Sequence, residues 1–284
     1  MTTANTLVQR TRRFMGDWPQ LDTITASASS SVTTLTVADA TIYSPNWLIE
    51  VDQEVMRVKT NAVGTSLGVS RGQAGTTASS HASGATILVR PDFYTQEYLD
   101  AVNDAYQSTW PYLYRHIIDT TITTTADTYE YAVPSVSSSI SYIPLIYQID
   151  VLYSGNTDYL KASNWEIVRG PAPKIKFGAT HEAGATLRVY GYAPFEELTA
   201  LTDSLSTLFP TQLVPSLKEY AAGILLASGE ARRVRTDTLP ADNREQANKA
   251  GSSIQTSNQL YQRFMARVQA CAMSPMTKHV KTVI

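Results

Sequence analysis

Several groups of residues in this chain have types that fit known chemistries, and in each case the neighbours decide whether the chemistry can operate. Gly64-Thr65-Ser66-Leu67-Gly68 matches the Gly-x-Ser-x-Gly string of hydrolase elbows, where a serine on a sharp strand-to-helix turn presents its hydroxyl beside backbone oxyanion donors. Here Val69 to Gly75 is broken by Gly72 and Gly75 and cannot begin the required helix, so the segment reads as a hairpin loop. His181-Glu182 opens like a zinc-protease motif, but Ala185 stands where the second imidazole is due and Gly184 marks a turn. His81, His116 and His279 supply no spacing that completes a metal site. The glycines at 68, 72 and 75 satisfy neither Gly-x-Gly-x-x-Gly nor a Gly-Lys-Ser/Thr ending. No cofactor, no metal and no enzymatic activity are expected.

The two histidines belong to a repeat. His81-Ala82-Ser83-Gly84-Ala85-Thr86 and His181-Glu182-Ala183-Gly184-Ala185-Thr186 share the form His-x-x-Gly-Ala-Thr, and each precedes an alternating apolar run. That is the sequence form of a tight turn feeding a strand, so both histidines are expected as turn residues. Arg71, in the loop before the first copy, either meets a carboxylate on another subunit or is exposed or paired locally. Arg10, Arg12 and Arg13 form one basic cluster, and Arg232, Arg233 and Arg235 form another at the end of an expected helix, where cations complement the negative pole of the dipole. Both clusters could also serve protein contact or DNA phosphates. A net charge of -2 supplies no overall basic field for gripping nucleic acid.

The elements that would position these residues follow from periodicity. The 284 residues exceed one ordinary domain, and 17% charged against 43% hydrophobic residues describes a chain that folds. The lone Cys271 cannot form an intrachain disulfide. The longest apolar stretch, around Tyr220 to Ala227, is far below the roughly 18 residues of a membrane span, so no membrane partner is expected. Residues 1–16 read as a short amphipathic helix with Leu7, Thr11 and Phe14 on one face. Residues 17–91 are rich in Ser, Thr, Gly and Val and alternate like strands, with a hairpin through Ile49, Val51, Val55 and Val58. Arg90 and Pro91 end this β-rich unit.

A helix is expected over 92–118, capped by Asp92 or Thr95, with Leu99, Val102, Tyr106, Trp110, Leu113 and Ile117 as its stripe and a kink at Pro111. From 119 to 194 the period returns toward two, and Lys174–Phe177 and Thr186–Tyr192 are expected to pair as an antiparallel hairpin through Gly178 to Gly184. The last third is helical: a stripe of Leu213, Leu217, Tyr220, Ile224 and Leu225, then a helix opening at Asp242 with Glu245 in a capping-box pattern. The second helix is expected to bury Ala247, Ala250, Ile254, Ser257, Tyr261, Phe264 and Val268, approaching its partner closely at its small front end. Residues 269–284 form a tail containing Pro275, Lys278, Lys281 and Ile284. The fold class is α+β: helices and an antiparallel β segment over 92–268, with a separate β-rich domain over 17–91. Many of the 16 tyrosines fall between Tyr94 and Tyr159, and tyrosine favours interfaces because it buries area while keeping a polar tip.

Two stretches carry a resemblance. Glu54-Val55-Met56-Arg57-Val58, Val69-Ser70-Arg71-Gly72-Gln73-Ala74-Gly75-Thr76-Thr77-Ala78 and His81-Ala82-Ser83-Gly84-Ala85 together resemble a β module of structural proteins of tailed bacteriophages. The remainder, through Leu99-x-x-Val102-Asn103-x-Ala105-Tyr106, Tyr129-x-Tyr131-x-Val133-Pro134 and Tyr190-Gly191-Tyr192-x-Pro194, is similar to head-to-tail connector adaptors. That resemblance implies a homo-oligomeric ring, commonly of twelve copies, bound beneath the portal protein, contacting further neck or tail proteins and surrounding a channel through which DNA passes without sequence-specific binding. It implies a virion neck component made in the host bacterial cytoplasm, with the β module inserted between an amino-terminal helix and the adaptor core. On this reading Arg71, Arg232, Arg233 and Arg235 are interface residues, and the tail with Pro275, Lys278, Lys281 and Ile284 docks on the portal. The rival expectation is a carbohydrate-binding or tail-fibre receptor-binding module, favoured by β content, tyrosines and Ser/Thr-rich loops.

Overall fold

A computed structural model describes residues 2–59, 64–138, 140–236, 252–272 and 281–282. The chain begins with α1 (Ala4–Met15), started by Thr3, whose hydroxyl accepts the Thr6 amide, and ended by Gly16 in the left-handed conformation, φ 74°. Its buried face is Ala4, Leu7, Val8, Thr11 and Arg12. Phe14, expected on that face, is instead 47% exposed, because the stripe follows the 4, 7, 8, 11 spacing that meets the other helices.

Six strands follow: β1 (Gln20–Thr23), β2 (Thr34–Thr36), β3 (Leu48–Val51), β4 (Glu54–Val58), β5 (Ser66–Gln73) and β6 (Thr86–Val89). They lie in the order β1-β6-β3-β4-β5-β2. The two ends of this antiparallel sheet meet through an Ile24–Val37 bridge, with the Thr25 amide donating to the Thr36 carbonyl at 2.8 Å. The sheet therefore curls shut into a small barrel, which leaves no long open edge. Its interior holds Ile24, Leu35, Val37, Ile49, Val51, Met56, Val58, Leu67, Val69, Ile87 and Val89, and each fully buried aliphatic contributes roughly 1.5–3 kcal/mol. The expected hairpin is β3–β4, turned on Asp52 and Gln53 at φ 47° and 73°, the paired positive angles that match strand twist.

The next helix, α2 (Thr95–Gln107), is shorter than its periodicity implies. It stops before Pro111, and Arg115–Asp119 is a strand, β7, so the expected helix to residue 118 with a kink at Pro111 is corrected. Proline lacks an amide donor and disfavours helix in the residue before it, and the β-branched Ile117 and Ile118 then pair with a distant strand. The remaining strands are β8 (Glu130–Ala132), β9 (Leu145–Leu152), β10 (Leu160–Lys161), β11 (Trp165–Val168), β12 (Lys174–Phe177) and β13 (Thr186–Ala193). They build two facing sheets, β10-β9-β13-β7 and β11-β12-β8. Ile146, Ile149, Val151, Leu187 and Val189 of the first share a core with Tyr131, Trp165, Ile175 and Phe177 of the second. The expected β12–β13 hairpin is absent: the two strands lie in different sheets, because their apolar faces meet across the sandwich instead of pairing edge to edge.

Two helices close the described chain, α3 (Val214–Thr236) and α4 (Ser252–Ala270), and Lys281–Thr282 forms β14 against β9. The helices α1 to α4 share one core, which includes Leu7, Tyr98, Val102, Tyr106, Leu217, Ala221, Phe264 and Val268. Within it α3 lacks a side chain at Gly223, where a Cβ would stand 3.5 Å from the Ser257 carbonyl oxygen. At the other end Phe264 stacks on Tyr220 at 4.9 Å. Of the buried face expected on α4, Phe264 and Val268 are buried, whereas Ile254 and Tyr261 are 49% and 39% exposed and Leu260 takes the inner position. Asp242, Glu245, Ala247 and Ala250 lie outside the described residues.

Gly191 shows how tightly the sandwich is joined. It sits at a register shift between β13 and β9, and a Cβ there would stand 2.5 Å from the Leu145 carbonyl oxygen and collide with Ile143. Gly191→Ala is therefore expected to destabilise the protein by roughly 1–3 kcal/mol, the cost of overpacking a closed core. Urea denaturation of the two chains measures it, and equal midpoints would contradict the packing.

Candidate functional site

The first site is the loop motif read from the sequence. Glu54 shares a sheet face with Met56 and Val58, which places a carboxylate at one end of the barrel interior. The loop from Arg71 to His81 folds over it. Arg71 donates from Nε and Nη2 to the two Glu54 oxygens at 2.8 and 2.7 Å, the bidentate geometry that makes such pairs strong. The Gly72 and Ser79 amides each donate to the same carboxylate at 3.0 Å. His81, 2% exposed, bridges Glu54 through Nε2 and Asp52 through Nδ1, both at 2.9 Å. Arg71 also donates to the Ser29 and Val32 carbonyls at 2.9 Å and to that of Ser79.

This network explains the spacing of the motif. Gly72, at φ +59° with a hypothetical Cβ 3.1 Å from the Thr76 carbonyl, brings its amide under the carboxylate, and the Thr76 hydroxyl ties the loop to the Gln73 carbonyl at 2.7 Å. Burial by itself raises the Glu54 pKa, but the hydrogen bonds from Arg71, Ser79, His81 and Gly72 outweigh it and hold the group at about 2. Of the readings of Arg71, the local ion pair is the one present, and it is buried. The Arg71 guanidinium is committed within its own chain. Sequence reasoning missed Glu54 itself; the available signal was its place two and four residues before Met56 and Val58, on the apolar side of the strand.

A second buried cluster joins the barrel to the helices. Glu50, on the opposite face of β3, is 1% exposed and accepts the Thr95 amide at 3.0 and 3.1 Å, so a barrel carboxylate caps α2. The expected cap by Asp92 or Thr95 side chains is replaced by Glu50 and by Glu97, which accepts the Tyr94 amide at 2.9 Å. Arg12 lies 3.9 Å from Glu50 and 3.4 Å from Asp17, and its guanidinium covers the Tyr98 ring at 4.9 Å. Asp17 accepts the Tyr98 hydroxyl at 2.9 Å. Burial raises the Glu50 pKa against the opposing pull of Thr95 and Arg12. A cavity of about 510 Å³ opens beside this joint, with Trp18 and Leu21 exposed at its rim.

A third feature is the outward face of the larger sandwich sheet. Tyr192 lies 4.3 Å from Tyr114, 4.7 Å from Tyr147 and 4.8 Å from His116, centroid to centroid, and Tyr147 reaches Tyr190 at 6.0 Å. Arg188 covers the Tyr159 ring at 3.4 Å. Four of the 16 tyrosines, Tyr114, Tyr147, Tyr190 and Tyr192, thus gather on this face, while Tyr43, Tyr98, Tyr106 and Tyr131 belong to the three cores. Burial and then neighbouring tyrosine hydroxyls push the Tyr114 and Tyr147 pKa values up, keeping these rings neutral.

The other sequence candidates fall apart in space. Ser66 begins β5, with no helix after it. His181 lies in the loop between the two sandwich sheets, where its Nδ1 is 2.8 Å from the Tyr153 hydroxyl and burial lowers its pKa. No cluster of three or more potential metal ligands occurs among the described residues, and among them no helix is long and apolar enough to cross a membrane. Arg232, Arg233 and Arg235 lie on the last turns of α3, and Lys281 in β14. Pro275, Lys278 and Ile284 lie outside the described residues.

Two predictions follow from the charges. Because the folded pKa of Glu54 is depressed, its stabilisation is present above the ordinary value of 4.5 and is lost as pH falls toward 2. The wild-type chain should lose about 3 kcal/mol more than Glu54→Gln across that window, as read by urea unfolding at stepped pH; parallel curves would refute the network. Glu50 has the opposite sign, its raised pKa making its contribution greatest at low pH and lost as pH rises. Arg12→Met should therefore cost about 3–5 kcal/mol at neutral pH and less in acid, where Glu50 is protonated, and a pH-independent deficit would contradict this. Compared with protein-family models and with curated proteins, the chain matches none.

Proposed function

We propose that the chain is a structural virion protein that forms a ring beneath the portal, joins a phage head to its tail and surrounds the DNA channel. The observation that carries this reading is an insertion. The helices α1 and α2 pack together and against α3, although the whole barrel separates them in sequence. A helical and sandwich core interrupted by a barrel after its first helix is the organisation that the connector resemblance implies, and the motif that resembles a phage β module is the barrel's own polar lock.

The surface chemistry supports the same reading. A net charge of -2 suits a ring that DNA must slide through, since tight binding to phosphates needs a basic lining. Exposed Trp18, Leu21, Ile118, Leu160, Leu208 and Ile254 offer apolar contacts for an assembled state. The carbohydrate-binding alternative would use the tyrosine face, but Tyr147 and Tyr192 stack on each other at 26° and so cover the ring faces a sugar would need.

Mixing the purified chain with cognate portal rings and imaging them by electron microscopy tests the proposal. An added layer of density below the portal is the expected result. Portal rings that remain bare, together with glycan binding by the chain, would replace the connector reading with the carbohydrate one.

A further inference from the structure

The larger sandwich sheet has one open side. Strand β7 is its end strand, pairing with β13 on one edge and with no strand on the other among the described residues. The chain continues along β13 beyond β7, with the Leu187 amide donating to the Ile122 carbonyl at 2.9 Å and the Thr124 amide to the Ala185 carbonyl at 2.8 Å. The open side therefore runs from Arg115 to Thr124, interrupted after Asp119, where the pairing with β13 steps by one residue and the Asp119 carboxylate accepts the Thr121 amide at 2.9 Å. Its composition is Ile117-Ile118-Asp119-Thr120-Thr121-Ile122-Thr123-Thr124-Thr125, in which every residue except Asp119 is β-branched. Natural edge strands are blunted by lysine, proline or bulges to prevent pairing with another chain. This stretch has no lysine and no proline, and its exposed residues include His116, Ile118, Thr120, Thr121 and Thr123.

The occupant is argued from the opposite edge of the same sheet. There the carboxy-terminal Lys281–Thr282 pairs antiparallel with Ile146 and Leu145 of β9, so the end of this chain is competent as an added strand on this sheet. Its seat is short, because β10 occupies Asp150 and Val151 on that edge of β9. The sequence around it, Thr277-Lys278-His279-Val280-Lys281-Thr282-Val283-Ile284, is β-prone and basic, and of the two charged residues along the β7 edge Arg115 is paired with Glu196 at 2.6 Å, which leaves the acidic Asp119 to face an added strand. A two-residue pairing is a weak hold compared with a strand of ordinary length.

We infer that the β7 edge receives the carboxy-terminal strand of a second copy of this chain, added as a further strand to the sheet. This inference rests on the ring reading for its biological setting. Donation from one copy to the next is a heterologous contact, which closes into a ring when the rotation between copies closes. Main-chain hydrogen bonds supply the affinity in such strand addition, and the aromatic face beside Ile118 borders the added strand. In the free chain the β9 seat holds Lys281–Thr282.

The test uses the full chain carrying Cys271→Ser, so that introduced thiols are the only ones. Chains with Thr120→Cys and chains with Thr282→Cys, differently tagged, are mixed and mildly oxidised. A disulfide-linked heterodimer of the two tagged chains is expected. Homodimers of the Thr120→Cys chain alone would overturn the inference in favour of β7 pairing with itself. In a chain carrying both Thr282→Cys and Leu145→Cys, a Thr282→Cys thiol that links only to Leu145→Cys in its own chain would also overturn it. Thr120→Lys, an exposed change, should weaken self-association about tenfold, equivalent to about 1.4 kcal/mol, by blunting the edge. A chain truncated after Ala272 separates the two proposals: if it still adds a ring below the portal, strand exchange fails and the ring stands. If the full chain crosslinks as expected yet leaves the portal bare, the ring reading fails and strand exchange stands.

Discussion

The carboxylate of Glu50 against the first amide of α2 is the contact on which the arrangement of this protein depends. The chain leaves the helical core after α1, builds a complete barrel and returns at α2, so both crossings must be held for the barrel to keep one position. Glu50 caps the returning helix from the barrel side, Asp17 fixes the outgoing crossing by accepting the Tyr98 hydroxyl, and Arg12 of α1 lies between the two acids. A helix start already has unsatisfied amides and a positive pole. Supplying the compensating carboxylate from another domain turns a local need into a tertiary tie.

The barrel has its own polar lock, built on the opposite physical balance. At Glu54 five donors converge on one carboxylate, and the charged form is favoured despite burial. At Glu50 fewer donors are available, and burial wins. Both acids come from the same hairpin, four residues apart, yet they face opposite sides of the sheet. One secures the loop that closes a barrel end, and the other secures the barrel to its host. The loop motif is thereby explained as folding chemistry: Gly72 and His81 contact the carboxylate, and Thr76 holds the turn between them through the Gln73 carbonyl.

Elements with strong local patterns were legible from the sequence, and their partners were not. The β3–β4 hairpin, the presence of α1 and α2 and the helical character of α3 and of the described α4 followed from period and turn chemistry. Periodicity failed after Gln107, where Trp110, Leu113 and Ile117 continue a helical spacing that the chain does not use, because strand pairing with β13 outweighs a weak local preference. It failed again between β12 and β13, where a glycine-bounded loop looks the same whether it joins paired strands or crosses between sheets. The turn position of His81 is visible in the sequence, but its burial between Asp52 and Glu54 depends on a loop folding back over a hairpin.

The sequence by itself determined the α+β class and the existence of a β-rich unit between two helices, since these follow from the order of residues over short windows. Tertiary structure alone decided which charges are buried, which strands are neighbours and where the tyrosines gather. Those outcomes depend on contacts between residues far apart in the chain: Arg12 with Glu50, Glu54 with His81, Tyr114 with Tyr192. Local propensity is worth tenths of a kcal/mol per residue, whereas a buried charge left without its partner costs several. The distant contacts therefore decide the arrangement wherever the two compete.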